Sequence, residues 1–303
     1  MSQARSAMEG YASSRGYKSL FRVVGTSSAR QPLLCIHGGP GMGHDYLRPL
    51  EEMATTGRRV VFYDQLGCGG SDRLRSADEW SLELFLDELV AVRDAAGLDR
   101  CHVLGHGWGG MLALEYALRH PAGLESLVLS SAVASVPHWR AVTEQLVAAL
   151  PAEVQASLSA HAVAGSTADS SYRRAADAFF RRHLCRMNPW PNCLKRSVAS
   201  ARAHPEARRA LLGRRELEPA GLLADWEIVA QLGRIELPTL VVSGRYDLTP
   251  PPIAADLYQG IPNSEWVVYE HSANVPHLEE PERYLEVLDG FLSKVEDDMR
   301  KHA

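Results

Sequence analysis

The segment that most constrains the fold is CHVLGHGWGG at residues 101–110. Its first half is a short apolar run, typical of a buried strand, and the residues after it predict a helix. Gly105 and Gly109 flank the junction, and glycine at this spacing permits a sharp strand-to-helix turn with close helix packing. Such a turn usually presents a nucleophilic side chain at its tip, but the tip here is Gly107. We therefore predict a strand–turn–helix unit whose nucleophile is missing.

The rest of the chain alternates short apolar runs with segments of helical periodicity. Several of these runs are continuous, which is typical of strands that are covered on both faces of a sheet. Segments 82–96 and 111–118 predict amphipathic crossover helices between strands. We therefore predict an α/β fold, with a mostly parallel sheet flanked by helices. The predicted strands are 33–37, 60–64, 102–105, 126–130, 239–243 and 266–269.

The strand pattern stops between about residues 133 and 233. This part is rich in alanine, arginine, histidine and glutamate, and its prolines are placed where helices begin or end. We predict a helical cap inserted into the sheet domain. The expected division is a first core part at 1–133, a cap at 134–233 and a second core part at 234–303.

Composition and charge exclude several kinds of partner. The formal net charge is −5, so we expect no nucleic-acid surface. No apolar run is long enough to span a bilayer and no signal-peptide pattern begins the chain, so we expect no membrane partner. The 5 cysteines are odd in number and scattered, which favours reduced thiols and a cytoplasmic location. Because no standard metal-ligand spacing or dinucleotide fingerprint is present, we expect no metal and no cofactor.

A glycine-rich turn, HGGPG at residues 37–41, follows the strand predicted at 33–37. Backbone N–H groups in such a turn can bind a developing oxyanion together with the N–H that follows the tip of the strand–helix turn. The candidate donors are Gly38, Gly39 and Trp108. Taken alone, the segment is equally consistent with an ordinary Gly/Pro-rich strand end.

Four segments together resemble the proline iminopeptidase branch of the α/β-hydrolases. They are HGGPGMGHDYL at 37–47, YDQLGCGGSD at 63–72, GHGWGG at 105–110 and GRYD at 244–247. Gly70 stands where an arginine is usual in that branch. The resemblance implies an α/β-hydrolase fold with an inserted helical cap, and a peptide or other small-molecule ligand in the cleft under the cap.

The resemblance also implies a Ser–His–Asp triad, of which one member remains. Asp247 stands at the position of the acid, whereas Gly107 occupies the nucleophile position. The histidine should follow Asp247 by about 27 residues, and that position holds Asn274. His271 and His277 flank it, and His106 lies beside the turn tip. Each of these histidines is either a substrate contact or an ordinary polar loop residue.

The residues that clamp the substrate amine in that branch are also altered. Glu216 preserves the cap glutamate, but Leu248 replaces the second acid, directly after Asp247. Arg214 and Arg215 add positive charge beside Glu216. Two guanidinium groups there suit a carboxylate-bearing ligand better than a free amino terminus. The alternative is that the arginines form a solvated basic face.

Three functions fit this pattern. The first is a non-hydrolytic enzyme that epimerises an amino-acid residue of a peptide by α-proton exchange, with a substrate carboxylate as the base. In this respect the chain is similar in kind to the atypical α/β-hydrolase of the bottromycin pathway, which acts on an aspartate residue of a ribosomal peptide. The second is a ligand-binding or sequestering protein without catalysis. The third is an inactivated iminopeptidase-like aminopeptidase, against which Asn274 and Leu248 argue because they add two further changes.

Overall fold

The computed structural model describes residues 6–166, 169–215 and 217–302. Within these residues the core is one 8-stranded sheet with the strand order β1-β2-β4-β3-β5-β6-β7-β8. The strands are Ala7–Ser14 (β1), Tyr17–Val24 (β2), Leu33–Ile36 (β3), Val60–Tyr63 (β4), Cys101–His106 (β5), Leu124–Ser130 (β6), Thr239–Gly244 (β7) and Ser264–Tyr269 (β8).

Strands β3 to β8 are parallel, and β1 and β2 join the sheet antiparallel beside β4. This order and direction confirm the predicted α/β-hydrolase fold. Because the strands are parallel, the carboxyl ends of β3, β5, β6 and β7 meet at one edge of the sheet. Crevices at this edge are where ligands bind in open α/β sheets.

The helices cover both faces of the sheet and fill the insertion between β6 and β7. They are Leu82–Ala95 (α1), Trp108–Ala117 (α2), Val136–Ala148 (α3), Ala152–Ala164 (α4), Ser170–His183 (α5), Asn192–Ala203 (α6), Glu206–Leu212 (α7), Pro251–Gly260 (α8), Pro276–Glu279 (α9) and Pro281–His302 (α10), with 3₁₀ helices at Asp45–Thr56, Ala77–Glu79 and Val229–Arg234.

Helices α3 to α7 form the helical insertion that the sequence predicts, while its exact boundaries at 134 and 233 stay a prediction. None of the described helices combines the length and the apolar composition needed to cross a bilayer.

The sheet separates two hydrophobic cores. One core packs α1, α2 and α8 against the sheet, and the other packs α10 and the 3₁₀ helix Asp45–Thr56. Every residue of β3, β4, β5 and β7 is buried, as the continuous apolar runs predict. Helix α1 begins where Ser81 accepts a hydrogen bond from the Leu84 N–H (3.2 Å), which satisfies one of the free donors of the first turn.

Strands β1 and β2 were not predicted from the sequence. In β1 a single residue, Ala12, is buried, so the strand carries almost no apolar signal. Strand β1 lies at the edge of the sheet and gains its hydrogen bonds from β2. Edge strands of this kind are specified by pairing with a neighbour more than by their own apolar pattern.

Glu88 of α1 makes the stability of the fold depend on pH. Its side chain is fully buried, with Oε1 accepting from the Ser19 hydroxyl and from the Leu66 N–H (2.7 Å). Oε2 has no partner among the described residues. Burial raises the pKa of Glu88 to about 8. The folded chain therefore keeps a proton that the unfolded chain releases above its ordinary pKa of about 4.3.

We expect the free energy of unfolding to fall as the pH rises from about 4.3 to about 8, by on the order of 1.4 kcal/mol for each pKa unit of difference. Glu88→Gln removes this titration and keeps an acceptor for Ser19 and Leu66. The variant should therefore gain stability relative to the wild type towards pH 8. Urea unfolding of both proteins across this range measures the difference. Identical pH profiles for the two proteins would show that Glu88 titrates normally.

Candidate active site

The turn between β5 and α2 keeps the backbone of a nucleophile elbow. Gly107 lies at its tip with φ 53° and ψ −118°, in the left-handed half of backbone space. A Cβ added at Gly107 would meet nothing closer than the Cα atom of Gly38, at 3.9 Å. There is consequently room for a side chain at the tip, and the strain of the turn is the same strain that a serine bears in an active hydrolase.

The other two glycines of the turn are required by packing. A Cβ on Gly105 would lie 2.3 Å from the carbonyl oxygen of Gly109. A Cβ on Gly109 would lie 2.2 Å from the carbonyl oxygen of Ile36. Both contacts are with backbone atoms, which have no rotamer through which to withdraw. The elbow is therefore preserved as a structural unit although its usual functional atom is missing.

Asp247 lies fully buried after β7 and accepts hydrogen bonds at both carboxylate oxygens. Oδ1 accepts from Asn274 Nδ2 (2.7 Å) and from the Thr249 N–H (3.0 Å). Oδ2 accepts from the Ser131 hydroxyl (2.6 Å) and from the Gly244 N–H (3.2 Å). Burial raises the pKa of Asp247 to about 6 even though these hydrogen bonds lower it. The structure thus brings Asn274 against Asp247, at the place expected for the histidine of a triad.

Asn274 cannot take over the work of a histidine. Its carboxamide donates through Nδ2 and neither accepts nor releases a proton near neutral pH. Glycine at position 107 and asparagine at 274 therefore supply neither a nucleophile nor a base at these two positions. The pair formed by Asn274 and Asp247 holds loops together without relaying protons.

Sequence reasoning missed two of the partners of Asp247. Ser131 follows β6 with φ 53°, and Thr249 lies two residues beyond Asp247. Both line the same cavity as Asn274. The serine pair that ends β6 was the available signal, because polar residues at the carboxyl end of a parallel strand face the usual ligand crevice.

The predicted oxyanion donors need one correction. The N–H of Gly38 donates to the Tyr46 hydroxyl (2.7 Å), so it is not available to a ligand. Gly39 and Trp108 both line the cavity. Trp108 is the first residue of α2, and the N–H at that position has no acceptor within the helix. No described residue accepts a hydrogen bond from the N–H of Gly39. The geometry therefore leaves Gly39 and Trp108 as the donor pair.

His106 lines the cavity, but both of its ring nitrogens are engaged. Nδ1 accepts from the Tyr46 hydroxyl (2.8 Å), because that hydroxyl already accepts from Gly38, and Nε2 donates to the carbonyl oxygen of Asn274 (2.7 Å). Burial lowers the pKa of His106 to about 4. The ring is therefore neutral, and it connects the glycine-rich turn to the loop that carries Asn274.

The two histidines that flank Asn274 do not reach the cavity. His271 is exposed and lines no part of it, so the predicted substrate contact is wrong. His277 is buried behind Tyr46, where its Nε2 contacts the carbonyl oxygen of Tyr46 (3.1 Å). Burial and the neighbouring His106 lower the pKa of His277 to about 3. His277 is therefore a neutral packing residue, and the substrate contact predicted for it is wrong as well.

The cavity lies between the elbow and the helical insertion and has a volume of about 620 Å³. Its floor carries the elbow, the oxyanion donors and the Asp247 network. Its walls are mostly apolar and include Met111, Val133, Trp139, Phe180, Leu184, Trp190 and Leu248. A pocket of this size and character can enclose a small peptide or a compound of similar size.

The arginines predicted to face the ligand divide between two environments. Arg214 lines the cavity. Arg215 is exposed, forms an ion pair with Glu218 and donates to the carbonyl oxygen of Ala162, so it lies outside the site. Glu216, predicted to bind substrate, lies outside the described residues.

One buried cluster has the composition of a metal site. His37, Asp64 and Cys68 place ligand atoms within 4.8 Å of one another. Each already has a protein partner: His37 Nε2 accepts from the Gln65 N–H (3.1 Å), Cys68 Sγ donates to the Gln65 carbonyl oxygen (3.1 Å), and Asp64 Oδ1 accepts from His44. These bonds fasten the glycine-rich turn to the loop after β4, and a metal would have to break them.

The family model described as alpha/beta hydrolase fold matches residues 31–281. The proline iminopeptidase of Clostridium botulinum is 38% identical in an alignment that covers 94% of this chain and 98% of that protein. The chain belongs to the proline iminopeptidase family of the α/β-hydrolases. The proline iminopeptidase of Clostridioides difficile is 35% identical over 94% of this chain.

Two solved structures have the same architecture as this chain. The crystal structure of VinJ superposes with a TM-score of 0.92 at 37% identity and covers 95% of this chain and 99% of its own. The proline iminopeptidase of Mycobacterium smegmatis has a TM-score of 0.88 at 37% identity and covers 95% and 98%. Membership in the family establishes the fold, whereas the activity depends on the side chains of the site. Positions 107 and 274 of this chain hold glycine and asparagine.

Proposed function

We propose that this member of the proline iminopeptidase family is a non-hydrolytic enzyme that epimerises an amino-acid residue of a peptide. One observation carries the proposal. The cavity and the Gly39 and Trp108 donors are kept, although positions 107 and 274 have neither nucleophile nor base. Donors aimed at a carbonyl oxygen stabilise an enolate as well as a tetrahedral oxyanion. Proton exchange beside a carbonyl needs such donors and no protein nucleophile.

The reaction breaks the Cα–H bond of one residue and leaves its electron pair delocalised onto the adjacent carbonyl oxygen. The N–H groups of Gly39 and Trp108 hold the charge on that oxygen. The proton passes to a carboxylate of the substrate, and a proton delivered from water to the opposite face reforms the Cα–H bond. The carboxylic acid formed in the first step then gives its proton to the hydroxide that the water leaves, which restores the carboxylate. No bond of the peptide chain is cleaved, so atoms and charges balance.

The empty space at Gly107 gives the substrate a place to lie. A serine there would project towards Gly38, whereas the glycine leaves that volume open. The base is assigned to the substrate because the histidine that lines the cavity, His106, has both nitrogens engaged and a pKa lowered to about 4 by burial. An aspartate residue carries both the carboxylate and the α-proton that this arrangement uses.

The same lack of a protein base supports a second candidate, a ligand-binding protein without catalysis. Among the described cavity residues, no aspartate or glutamate is available as a base, and both ring nitrogens of His106 already have partners. A pocket with these walls can hold a ligand without changing it.

The test begins with two peptides, each with a free amino terminus, that differ only in the configuration of one aspartate residue. Each is incubated with the protein, and the aspartate is then analysed on a chiral column. We expect both to approach the same mixture of D- and L-aspartate without shortening of the peptide. A shortened peptide would restore the aminopeptidase function, and binding of unchanged peptides would favour the ligand-binding protein.

A matched pair of variants places the reaction in this cavity. Gly107→Leu fills the space beside Gly38, and we expect it to abolish epimerisation. Gly97→Leu is the control, because Gly97 also has a left-handed φ (62°) and an added Cβ there meets nothing within 4 Å. Both variants carry similar backbone strain, but Gly97 does not line the cavity. Equal activity of the two variants would place the reaction elsewhere.

A further inference from the structure

Five arginines of the helical insertion line the cavity, and four of them are exposed to solvent, so they lie at its open side, the rim. The lining arginines come from α5, α6, α7 and the segment after α7: Arg173, Arg202, Arg208, Arg209 and Arg214. Among the described residues, no aspartate or glutamate lines the cavity. Like charges around one opening repel each other, and an anion in their midst offsets that repulsion.

Two of these arginines already bind other groups of the protein. Arg202 pairs with Asp177 (2.8 Å), and Arg208 donates to the carbonyl oxygens of Arg214 (3.0 Å) and Arg215 (3.4 Å). The guanidinium groups of Arg173, Arg209 and Arg214 form no salt bridge with a carboxylate in the described part of the chain. Three guanidinium groups thus remain for a ligand.

The cavity is amphipathic, with its charge confined to the rim. Trp139, Phe180 and Trp190 contribute apolar wall, and Leu248 occupies the place where the family resemblance implies an acid. A substrate amine would meet guanidinium groups at the rim and leucine below, so a free amino terminus is disfavoured. A ligand with an apolar body and an anionic group matches both regions, because its body contacts the apolar walls and its anionic group lies at the rim.

We propose that the cavity selects a ligand bearing an oxyanion, a carboxylate or a phosphate, which Arg173, Arg209 and Arg214 bind at the rim. The inference rests on the proposed function because it names the substrate class of the same site. The sequence predicted Arg214 and Arg215 as the ligand-binding arginines. The proposed site keeps Arg214 and has Arg173 and Arg209 in place of Arg215. Planar guanidinium groups suit both oxyanions because they donate two parallel hydrogen bonds.

The test is titration calorimetry with four probes that each carry one phenyl ring. N-acetyl-L-phenylalanine carries a carboxylate, its amide is neutral, L-phenylalaninamide is cationic, and phenyl phosphate carries a phosphate. We expect either anion to bind about tenfold or more tightly than the neutral amide, and the cation to bind most weakly. The tighter of the two anions identifies the group that the site prefers. Binding of the anions should also weaken as salt is added.

Two triple variants separate the rim from general surface charge. Arg173→Gln, Arg209→Gln and Arg214→Gln together should reduce the preference for the anion to within about twofold of the amide. Arg174→Gln, Arg181→Gln and Arg182→Gln remove the same charge from α5 at exposed positions that do not line the cavity, and they should retain the preference. The inference is overturned if neither anion binds saturably, if the amide or cation binds as tightly, or if both triple variants behave alike.

The binding experiment and the epimerisation experiment test the two proposals separately. Anion selectivity without epimerisation of any peptide would keep the anion subsite and remove the proposed reaction. Epimerisation without anion selectivity would keep the reaction and remove the subsite.

Discussion

Replacing Gly107 by serine and Asn274 by histidine together is expected to create an esterase. The elbow backbone is already in place, and an added Cβ at position 107 meets nothing closer than 3.9 Å. Asn274 already contacts Asp247 Oδ1 at 2.7 Å, so a histidine there begins beside its acid. Gly39 and Trp108 supply the oxyanion donors.

The two substitutions should act as a unit. A serine without a base is a weak nucleophile, and a histidine without a nucleophile activates only water. We therefore expect each single variant to hydrolyse p-nitrophenyl butyrate at close to the background rate. The double variant should exceed either of them by about 10³-fold, because the members of a triad contribute non-additively. A fluorophosphonate probe should label the double variant at the new serine.

The control keeps the histidine and the backbone strain but omits the nucleophile. Gly107→Ala with Asn274→His adds a Cβ at the same φ of 53° and has no hydroxyl. This variant should be inactive and unlabelled. Equal esterase rates in the control and in the double variant would contradict the conclusion that only side chains separate this site from a working triad.

Gly109→Ala is expected to destabilise the fold by on the order of 3 kcal/mol or more. The added Cβ would lie 2.2 Å from the Ile36 carbonyl oxygen and 2.8 Å from that of His37, so α2 would have to move away from β3. Such a displacement would disturb the glycine-rich turn and the elbow at once. The effect is therefore expected on unfolding and on ligand binding together.

Gly290→Ala is the matched control for this prediction. Gly290 lies within the long helix α10, is exposed, and an added Cβ meets nothing within 4 Å. Alanine is the better helix former, so this variant should be more stable than the wild type by about 0.5–1 kcal/mol. Urea unfolding of the three proteins measures both effects. A loss of less than about 1 kcal/mol in Gly109→Ala would show that α2 can shift at little cost.

Asp247 has a structural role that does not depend on catalysis. It accepts hydrogen bonds from Ser131, Gly244, Thr249 and Asn274, which belong to the ends of β6 and β7 and to the loops after β7 and β8. Removing the carboxylate would leave several buried donors without partners, each at a cost of about 1–3 kcal/mol. The acid is therefore structurally useful whether or not the site hydrolyses anything.

The sequence predicted those parts of the fold that carry a strong local signal. Several of the six parallel strands are continuous apolar runs, and Gly105 and Gly109 of the elbow are positions where a Cβ would collide with backbone. Asn274 was found by its spacing from Asp247, since the loops at the ends of β7 and β8 bring the two together. Strand β1 was missed because its pairing, not its own composition, specifies it.

The site was only partly accessible to sequence reasoning. The engagement of Gly38 by Tyr46 and the exposure of His271 depend on how loops fold back, which no local pattern specifies. Arg173 and Arg209 belong to different helices of the insertion, so their presence in one cavity lining follows from helix packing. Arg215 was predicted as a ligand contact because it is next to Arg214 in the sequence. The structure places its side chain against Glu218.

The most direct test of the central claim is the isotope content of an aspartate peptide after incubation in water enriched in both deuterium and ¹⁸O. Exchange at the α-carbon and hydrolysis of the chain leave different isotopes in the product, and mass spectrometry separates them in one measurement. We predict one deuterium at the α-carbon of a full-length peptide, with no ¹⁸O at any new carboxylate. A shortened peptide that carries ¹⁸O, with no deuterium at the α-carbon, would contradict the account and show that the site hydrolyses its substrate without a triad.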